Sequence, residues 1–279
     1  MGTAWRPPHV SELYSFGKHQ SNGSNEYGLL WNRTNSTQLG KYSESGVENE
    51  QSLKWVGTYN FASEKTFVEL TAYSNWIKNY IYLRPEGIDF NSRTGILPLF
   101  GYTQGNALFQ GIDIQLQQKL NANFTWQAQG SYLRAINTDN KESELPLIPA
   151  NRIATSLRYE TAQIGKFKSL FGSVTLSHNF QQSNAPRVIS IEELEGLRSQ
   201  ELQPFELDNR NFDFIGAPES YSLVDLETGF STNFNESELK FRVGVRNLLN
   251  TTYRSYTNRL RYFADDLGRN FTMSLQYIF

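Results

Sequence analysis

The sequence predicts an all-β chain of antiparallel strands in up-and-down order, rolled as a membrane-spanning barrel. Three observations predict it. Apolar and polar residues alternate with period two through segment after segment. Connections alternate between short turns and long loops. Aromatic residues make up 14% of the 279 residues, yet mean hydropathy is only -0.53.

The elements follow in chain order. Gly2 to Arg6 reads as the end of a strand that breaks at Pro7 and Pro8. Trp55, Tyr59 and Phe61 then alternate with Lys54, Thr58 and Asn60. Lys65 to Leu83 is long and mixed in phase. Ile112, Ile114, Leu116 and Leu120 alternate with Asp113, Gln115, Gln117 and Lys119, and Phe124, Trp126, Ala128 and Tyr132 with Thr125, Gln127, Gln129 and Ser131. Ile153, Thr155, Leu157 and Tyr159 oppose Arg152, Ala154, Ser156, Arg158 and Glu160. Leu170, Val174, Leu176 and Phe180 oppose Ser173, Thr175, Ser177 and Asn179. Val224, Leu226 and Phe230 oppose Asp225 and Glu227, and Leu239, Phe241, Val243 and Val245 oppose Lys240, Arg242, Gly244 and Arg246. The last segment sets Phe271, Met273, Leu275, Tyr277 and Phe279 against Asn270, Thr272, Ser274 and Gln276. Successive side chains of a strand point to opposite faces, so each segment has one apolar and one polar face.

Short turns fall near Ala62–Glu64, Asn121–Asn123, Ala162–Lys166 and Asn233–Glu236. Long loops fall near Pro7–Asn49, Pro85–Gly105, Asn137–Pro149, Asn184–Pro218 and Asn250–Gly268. That layout, with strands longer than the soluble norm, fits an outer-membrane barrel. A soluble sandwich with one solvated face is the competing architecture. The aromatics Trp55, Tyr80, Tyr82, Trp126, Tyr132, Tyr221, Tyr262 and Tyr277 fall near strand ends and are expected in girdles at the membrane–water boundary.

Composition excludes several classes. No apolar run reaches the roughly 20 residues of a spanning helix. The aromatic content is too high for an unfolded chain. With 26 basic and 28 acidic residues the formal charge is -2, so no nucleic-acid partner is expected. There is no cysteine, which removes disulfides and thiolate metal sites. The start has no basic stretch followed by an apolar one, so no export signal is read there. No HExxH, no Gly-rich phosphate loop and no ordered nucleophile–base spacing is found, so neither an enzyme nor a metal or cofactor site is expected.

Gly244-Val245-Arg246-Asn247-Leu248-Leu249-Asn250-Thr251-Thr252-Tyr253 is similar to the "GvxNLfdxxY" stretch of TonB-dependent outer-membrane receptors. Arg261-Tyr262-Phe263-Ala264 followed by Gly268-Arg269-Asn270-Phe271 resembles the start of that family's final strand, and Phe279 its terminal aromatic residue. Trp5-Arg6-Pro7-Pro8 with Glu12-Leu13-Tyr14-Ser15 is similar to its "fRxPxxxELY" segment, and Glu48–Ser52 to the acidic start of its next strand. The usual Asn-Pro-Asn-Leu is absent, with Gln38 to Gly46 in its place.

The resemblance implies a bacterial outer-membrane location. Residues 1–279 become the C-terminal portion of a barrel of about 22 strands, roughly its last ten, without plug domain or signal peptide. On that reading the chain is a truncated reading frame or a fragment. The implied function is energised uptake of a scarce ligand, foremost a ferric siderophore, with cobalamin, haem or oligosaccharide open. The alternatives are a secreted soluble carbohydrate-binding module and a simple porin-like channel.

The implied partners are outer-membrane lipid, the TonB complex through a plug, an iron chelate or other small ligand, and the barrel-assembly machinery. That machinery would read Tyr277 and Phe279 on the last strand. Ligand contact from the outer loops is expected at His9, Tyr14, His19, Arg259 and Tyr262. The polar-face charges Arg152, Arg158, Glu160, Asp225, Glu227, Lys240, Arg242 and Arg246 are expected to face the lumen and a plug. His178 falls in the apolar phase, Ile191 to Arg198 has helical periodicity within a long loop, and Asp265 and Asp266 read as loop acids near Arg259 and Arg261.

Overall fold

The computed structural model describes residues 1–19, 21–30, 46–89, 97–139, 143–198, 211–234 and 237–279. The stretch 38–45, which replaces the Asn-Pro-Asn-Leu motif, and residues 235–236 of the last short turn lie outside the described residues.

Ten strands form one antiparallel path: β1 (Gly2–Arg6), β4 (Glu50–Ala62), β5 (Thr66–Asp89), β6 (Leu97–Lys119), β7 (Phe124–Asn137), β9 (Arg152–Ile164), β10 (Phe167–Asn179), β13 (Tyr221–Phe234), β14 (Ser237–Arg246) and β15 (Asn270–Ile278). Each pairs with its neighbour in sequence order, and β1 and β15 stand at the two edges of an unclosed sheet. Shorter elements lie in the long connections: α1 (Val10–Tyr14), β2 (Phe16–His19), β3 (Ser24–Tyr27), β8 (Ser143–Glu144), β11 (Arg187–Val188), α2 (Ile191–Arg198) and β12 (Phe212–Asp213).

Register turns the alternation of single strands into rows across the sheet. Trp126, Leu157, Val174, Leu226, Val245 and Phe271 stand side by side on six strands. The adjacent row is Thr125, Arg158, Ser173, Glu227, Gly244 and Thr272. One face of the wall is therefore apolar and the other polar. The long loops fold against the polar face, which makes it the inner one. The apolar face stays uncovered: Trp55, Ile112, Ile114, Leu176 and Phe271 are all exposed. Such a face suits lipid, which is also why so polar a composition can cross a membrane.

The packed core lies at the loop end instead. Among the described residues, the fully buried large side chains include Leu29, Phe100, Leu145 and Phe212, all in or beside the long connections. Ala107, Ala135, Leu145 and Ile148 cluster there under Tyr80, Tyr82, Phe109 and Leu133. We call this assembly the crown.

Two expectations are corrected. Pro85–Gly105 is not one long loop, because β5 runs to Asp89 and β6 starts at Leu97, so these strands reach 24 and 23 residues. Their upper halves pair only with each other and with β3, which adds to β6 in parallel, and they fold inward into the crown. The mixed phase of Lys65 to Leu83 has a local cause. A bulge between Ile77 and Tyr80 shifts the register, with Asn79 at φ 59°. Asparagine tolerates this left-handed conformation better than most residues. The bulge is held by Asn106, whose side-chain oxygen accepts from the Asn79 N–H (3.1 Å), and by Glu48, which accepts from the Asn79 amide (2.6 Å). Below it the odd residues of β5 face inward; above it the even ones do. Tyr80 and Tyr82 therefore face the crown and not a girdle. By the same register Tyr221 also points inward, whereas Trp55, Trp126, Tyr132 and Tyr277 stand on the outer face.

Candidate functional site

Between the inner wall and the crown lies a cleft of about 380 Å³. Its wall side is Ser131, Arg152, Asn179 and Tyr221, and Glu219 and Tyr256 line it from the long connections. A second hollow of about 280 Å³ lies on the same wall, where Glu69, Asp113, Gln115 and Gln129 join Ser131, Arg152 and Asn179. Ser131 donates to Asp113 at 2.6 Å.

The segment between β14 and β15 forms the roof and is braced from within. Asn247, at φ 52°, accepts from the Thr251 N–H and donates to the Thr251 carbonyl, both at 2.8 Å. Asp225 on β13 accepts from the Asn247 N–H at 2.8 Å. Arg254 bonds Asp265 (2.6 Å) and the Arg261 carbonyl (2.7 Å). Asp266 accepts from the Ser255 N–H (2.6 Å) and the Asn258 amide (2.8 Å). The two aspartates, expected as loop acids near Arg259 and Arg261, organise the loop through Arg254, Ser255 and Asn258.

Two ion pairs tie this roof to the rest of the crown. Arg261, fully buried, pairs with Asp213 of β12, and the Tyr262 hydroxyl donates to the same carboxylate at 2.7 Å. Arg259 pairs with Glu26 of β3, and its guanidinium stands 5.8 Å from the Phe100 ring centre. Burial pushes the Asp213 carboxyl above its ordinary range against the pull of Arg261 and Tyr262. Burial likewise raises both phenols, with Tyr256 pushed up to about 12, so they act as neutral groups.

The expected ligand residues divide. Arg259 and Tyr262 come together around Phe100, but both are committed to crown partners. His9 caps α1, where its ring nitrogen accepts from the Ser11 N–H and Glu12 returns a bond to the His9 N–H. His19 is exposed at the end of β2 beside Ser21 and Asn22. Tyr14, at the end of α1, is also exposed. Asn22 bonds both His19 (2.9 Å) and Glu26 (3.4 Å), the partner of Arg259, so His19, Arg259 and Tyr262 belong to one loop cluster, while His9 and Tyr14 sit at the two ends of α1. His178 lies on the outer face against Ser222 (2.9 Å) and Phe180.

All eight expected lumen charges fall on the inner face by register. Four converge near the short turns. Phe171 carries Arg158 on its ring at 4.0 Å and Arg242 at 5.5 Å, with Glu160 on Arg158 (2.9 Å) and Glu227 on Arg242 (3.2 Å). Gly229 opposite has to be glycine, since a Cβ there would meet the Phe171 ring and the Phe241 carbonyl at 2.7 Å. Lys240 pairs with Glu238 at 3.4 Å, and Arg152 and Arg246 complete the set. The residues that sequence reasoning missed are Glu26, Phe100 and Asp213. Glu26 and Asp213 lie in strands of four and two residues, too short for period two to show, and Phe100 lies in the upper half of β6, where the sequence suggests a loop.

The profile described as "TonB dependent receptor-like, beta-barrel" matches residues 2–248. The chain belongs to the TonB-dependent receptor barrel family. It is thus an outer-membrane protein of a family of receptors and transporters rather than of enzymes, and the soluble carbohydrate-binding alternative falls. Solved structures share the fold. The copper transporter OprC superposes with a TM-score of 0.66 at 16% identity, over 99% of this chain and 36% of that one. The FrpB iron transporter of Neisseria meningitidis (F3-3 variant) gives 0.56 at 11% identity, over 82% of this chain and 31% of that one. BauA, the ferric preacinetobactin receptor of Acinetobacter baumannii, gives 0.50 at 18% identity, over 83% and 29%. The chain thus spans about a third of the length of these receptors. No curated protein sequence matches it significantly.

Proposed function

We propose that this chain is the C-terminal barrel portion of a receptor for energised uptake of a metal chelate, in the first place a ferric siderophore. The observation that carries the reading is the polar inner wall. It runs unbroken from the cleft under the crown down to the charged cluster around Phe171. A wall with water-compatible charges inside and an apolar face outside serves a solute path. The named neighbours, which include iron and copper receptors, agree with metal cargo.

In this reading Arg158, Glu160, Asp225, Glu227, Lys240, Arg242 and Arg246 face a plug, through which the TonB complex acts, while Arg152, at the start of β9, faces the cleft under the crown. The sheet edges at β1 and β15 are completed by further strands, because open edges in lipid cost several kcal/mol per unpaired group. Tyr277 and Phe279 serve the assembly machinery. The test is uptake of radiolabelled iron supplied as ferric chelates. Deleting the gene should reduce it to background, and the intact gene should restore it. Arg242→Ala with Arg246→Ala should restore it only in part. Uptake unchanged by deletion, for every chelate supplied, overturns the reading.

A further inference from the structure

Two charged side chains line the cleft without meeting each other. Arg152 opens β9 on the inner wall, and Glu219 lies in the segment that leads into β13. Neither has a hydrogen-bond or ion-pair partner among the described residues. The other charge lining the cleft is matched, Arg254 being bridged to Asp265 at 2.6 Å. Arg152 also lines the hollow beneath, together with Glu69 and with Asp113, which Ser131 engages, but no ion pair among the described residues joins it to either carboxylate.

Register fixes the spacing across the wall between Arg152 and Tyr221. Arg152 pairs with Asn179, and Asn179 with Tyr221, so Tyr221 is two strands away from Arg152. Neighbouring strands lie about 4.8 Å apart, which puts about 10 Å between those backbones. Glu219 is two residues before Tyr221 in sequence. The Tyr221 ring, packed on Tyr253 at 4.5 Å between centres, gives the cleft a fixed aromatic surface.

An incoming ligand strips water from both charged groups. A neutral ligand leaves both uncompensated, and a singly charged one satisfies one and strands the other. We propose that the cleft takes a zwitterionic ligand of peptide-like length, with its anionic group on Arg152, its cationic group on Glu219 and its body across Tyr221. This rests on the reading that the chain admits a small ligand from the loop side. It narrows the ligand to a class that family membership does not specify.

The test uses the full-length receptor, with the strands that complete its barrel, in detergent and the tripeptide Ala-Tyr-Ala in four forms. Three extended residues span about 10 Å. The forms are free at both ends, acetylated at the N-terminus, amidated at the C-terminus, and blocked at both. The free form should bind about tenfold tighter than either singly blocked form, the doubly blocked form being weakest. Arg152→Gln should erase the effect of amidation and leave that of acetylation. Glu219→Gln should do the reverse. Both side chains are exposed, so the variants should fold, which heat-dependent gel mobility checks. Four forms that bind alike, no saturable binding of any form, or charge effects that ignore both variants would each overturn the inference. Iron uptake is read separately. If the peptide series holds while uptake ignores the gene, only the uptake reading falls; if uptake needs the gene while the peptides bind alike, only the cleft inference falls.

Discussion

The wall and the crown hold together by different physics. The wall is a ladder of backbone hydrogen bonds with both faces open, and among the described residues Phe171 is the one buried large apolar side chain away from the loop end. The crown is the reverse. Only the upper halves of β5 and β6 and short strands give it a ladder, and its order comes from packed side chains around Phe100 and Phe212 and from ion pairs sealed among them. A wall of this kind tolerates change on its inner face and depends on lipid on its outer one. A crown of this kind depends on single buried contacts.

The largest effect should come from Asp213→Ala. It strands the Arg261 guanidinium, which is fully buried, and removes the acceptor for Tyr262. Leaving one member of a buried pair uncompensated costs about 3–5 kcal/mol. Amide exchange should accelerate through 211–216 and 251–269 while protection in β9, β10 and β13 stays as it was. Equal loss of protection in those strands would show that wall and crown are one cooperative unit.

A second comparison lies within the wall. Leu226→Arg places a cation on the outer face, where charge near the bilayer midplane costs about 2–4 kcal/mol. Gln115→Arg places the same group on the inner face beside Glu69 and Asp113, where the change should be close to zero. Urea unfolding from lipid vesicles reads both. Similar losses in the two variants would break the assignment of faces.

The same division explains what the sequence made legible. A strand in a two-faced wall writes its burial locally, every second residue, so the segments around Ile112, Ile153, Val174 and Leu239 could be read without knowing their neighbours. The crown is built from residues far apart in the chain, such as Leu29, Phe100, Phe212 and Tyr262, and nothing periodic joins them. Two misreadings arose at their junction. The expected long loop begins at Pro85, yet Pro85 lies within β5 at a register shift. Tyr80 and Tyr82 looked like boundary aromatics because a single inserted residue at Asn79 moves them to the other face. The inner charges were readable as a face, but their convergence on Phe171 depends on register between β9, β10, β13 and β14, which no single strand states.

The smallest effect tests whether crown elements respond to pH while the wall does not. Ser190 and Glu193 cap the start of α2 reciprocally: the Ser190 N–H donates to the Glu193 carboxylate (3.0 Å) and the Glu193 N–H to the Ser190 hydroxyl (3.2 Å). Arg187 adds two further bonds, at 2.8 and 2.7 Å. Arg187 first, and the Ser190 N–H second, hold the Glu193 carboxyl down at about 2, below its ordinary 4.5. A depressed carboxylate contributes stability that is complete above the ordinary value and disappears as pH falls through the depressed one. The cap should therefore be intact at pH 6 and weaken between about 4.5 and 2. Because the pair is part exposed, solvent screening keeps the effect within about 1 kcal/mol. Intrinsic-rate-corrected amide exchange in α2 should rise across that window, and Glu193→Gln should flatten the profile, with the β9–β10 ladder unchanged in both. Exchange in α2 that is flat down to pH 2, or a Glu193→Gln profile identical to the parent, would separate the cap from the carboxylate.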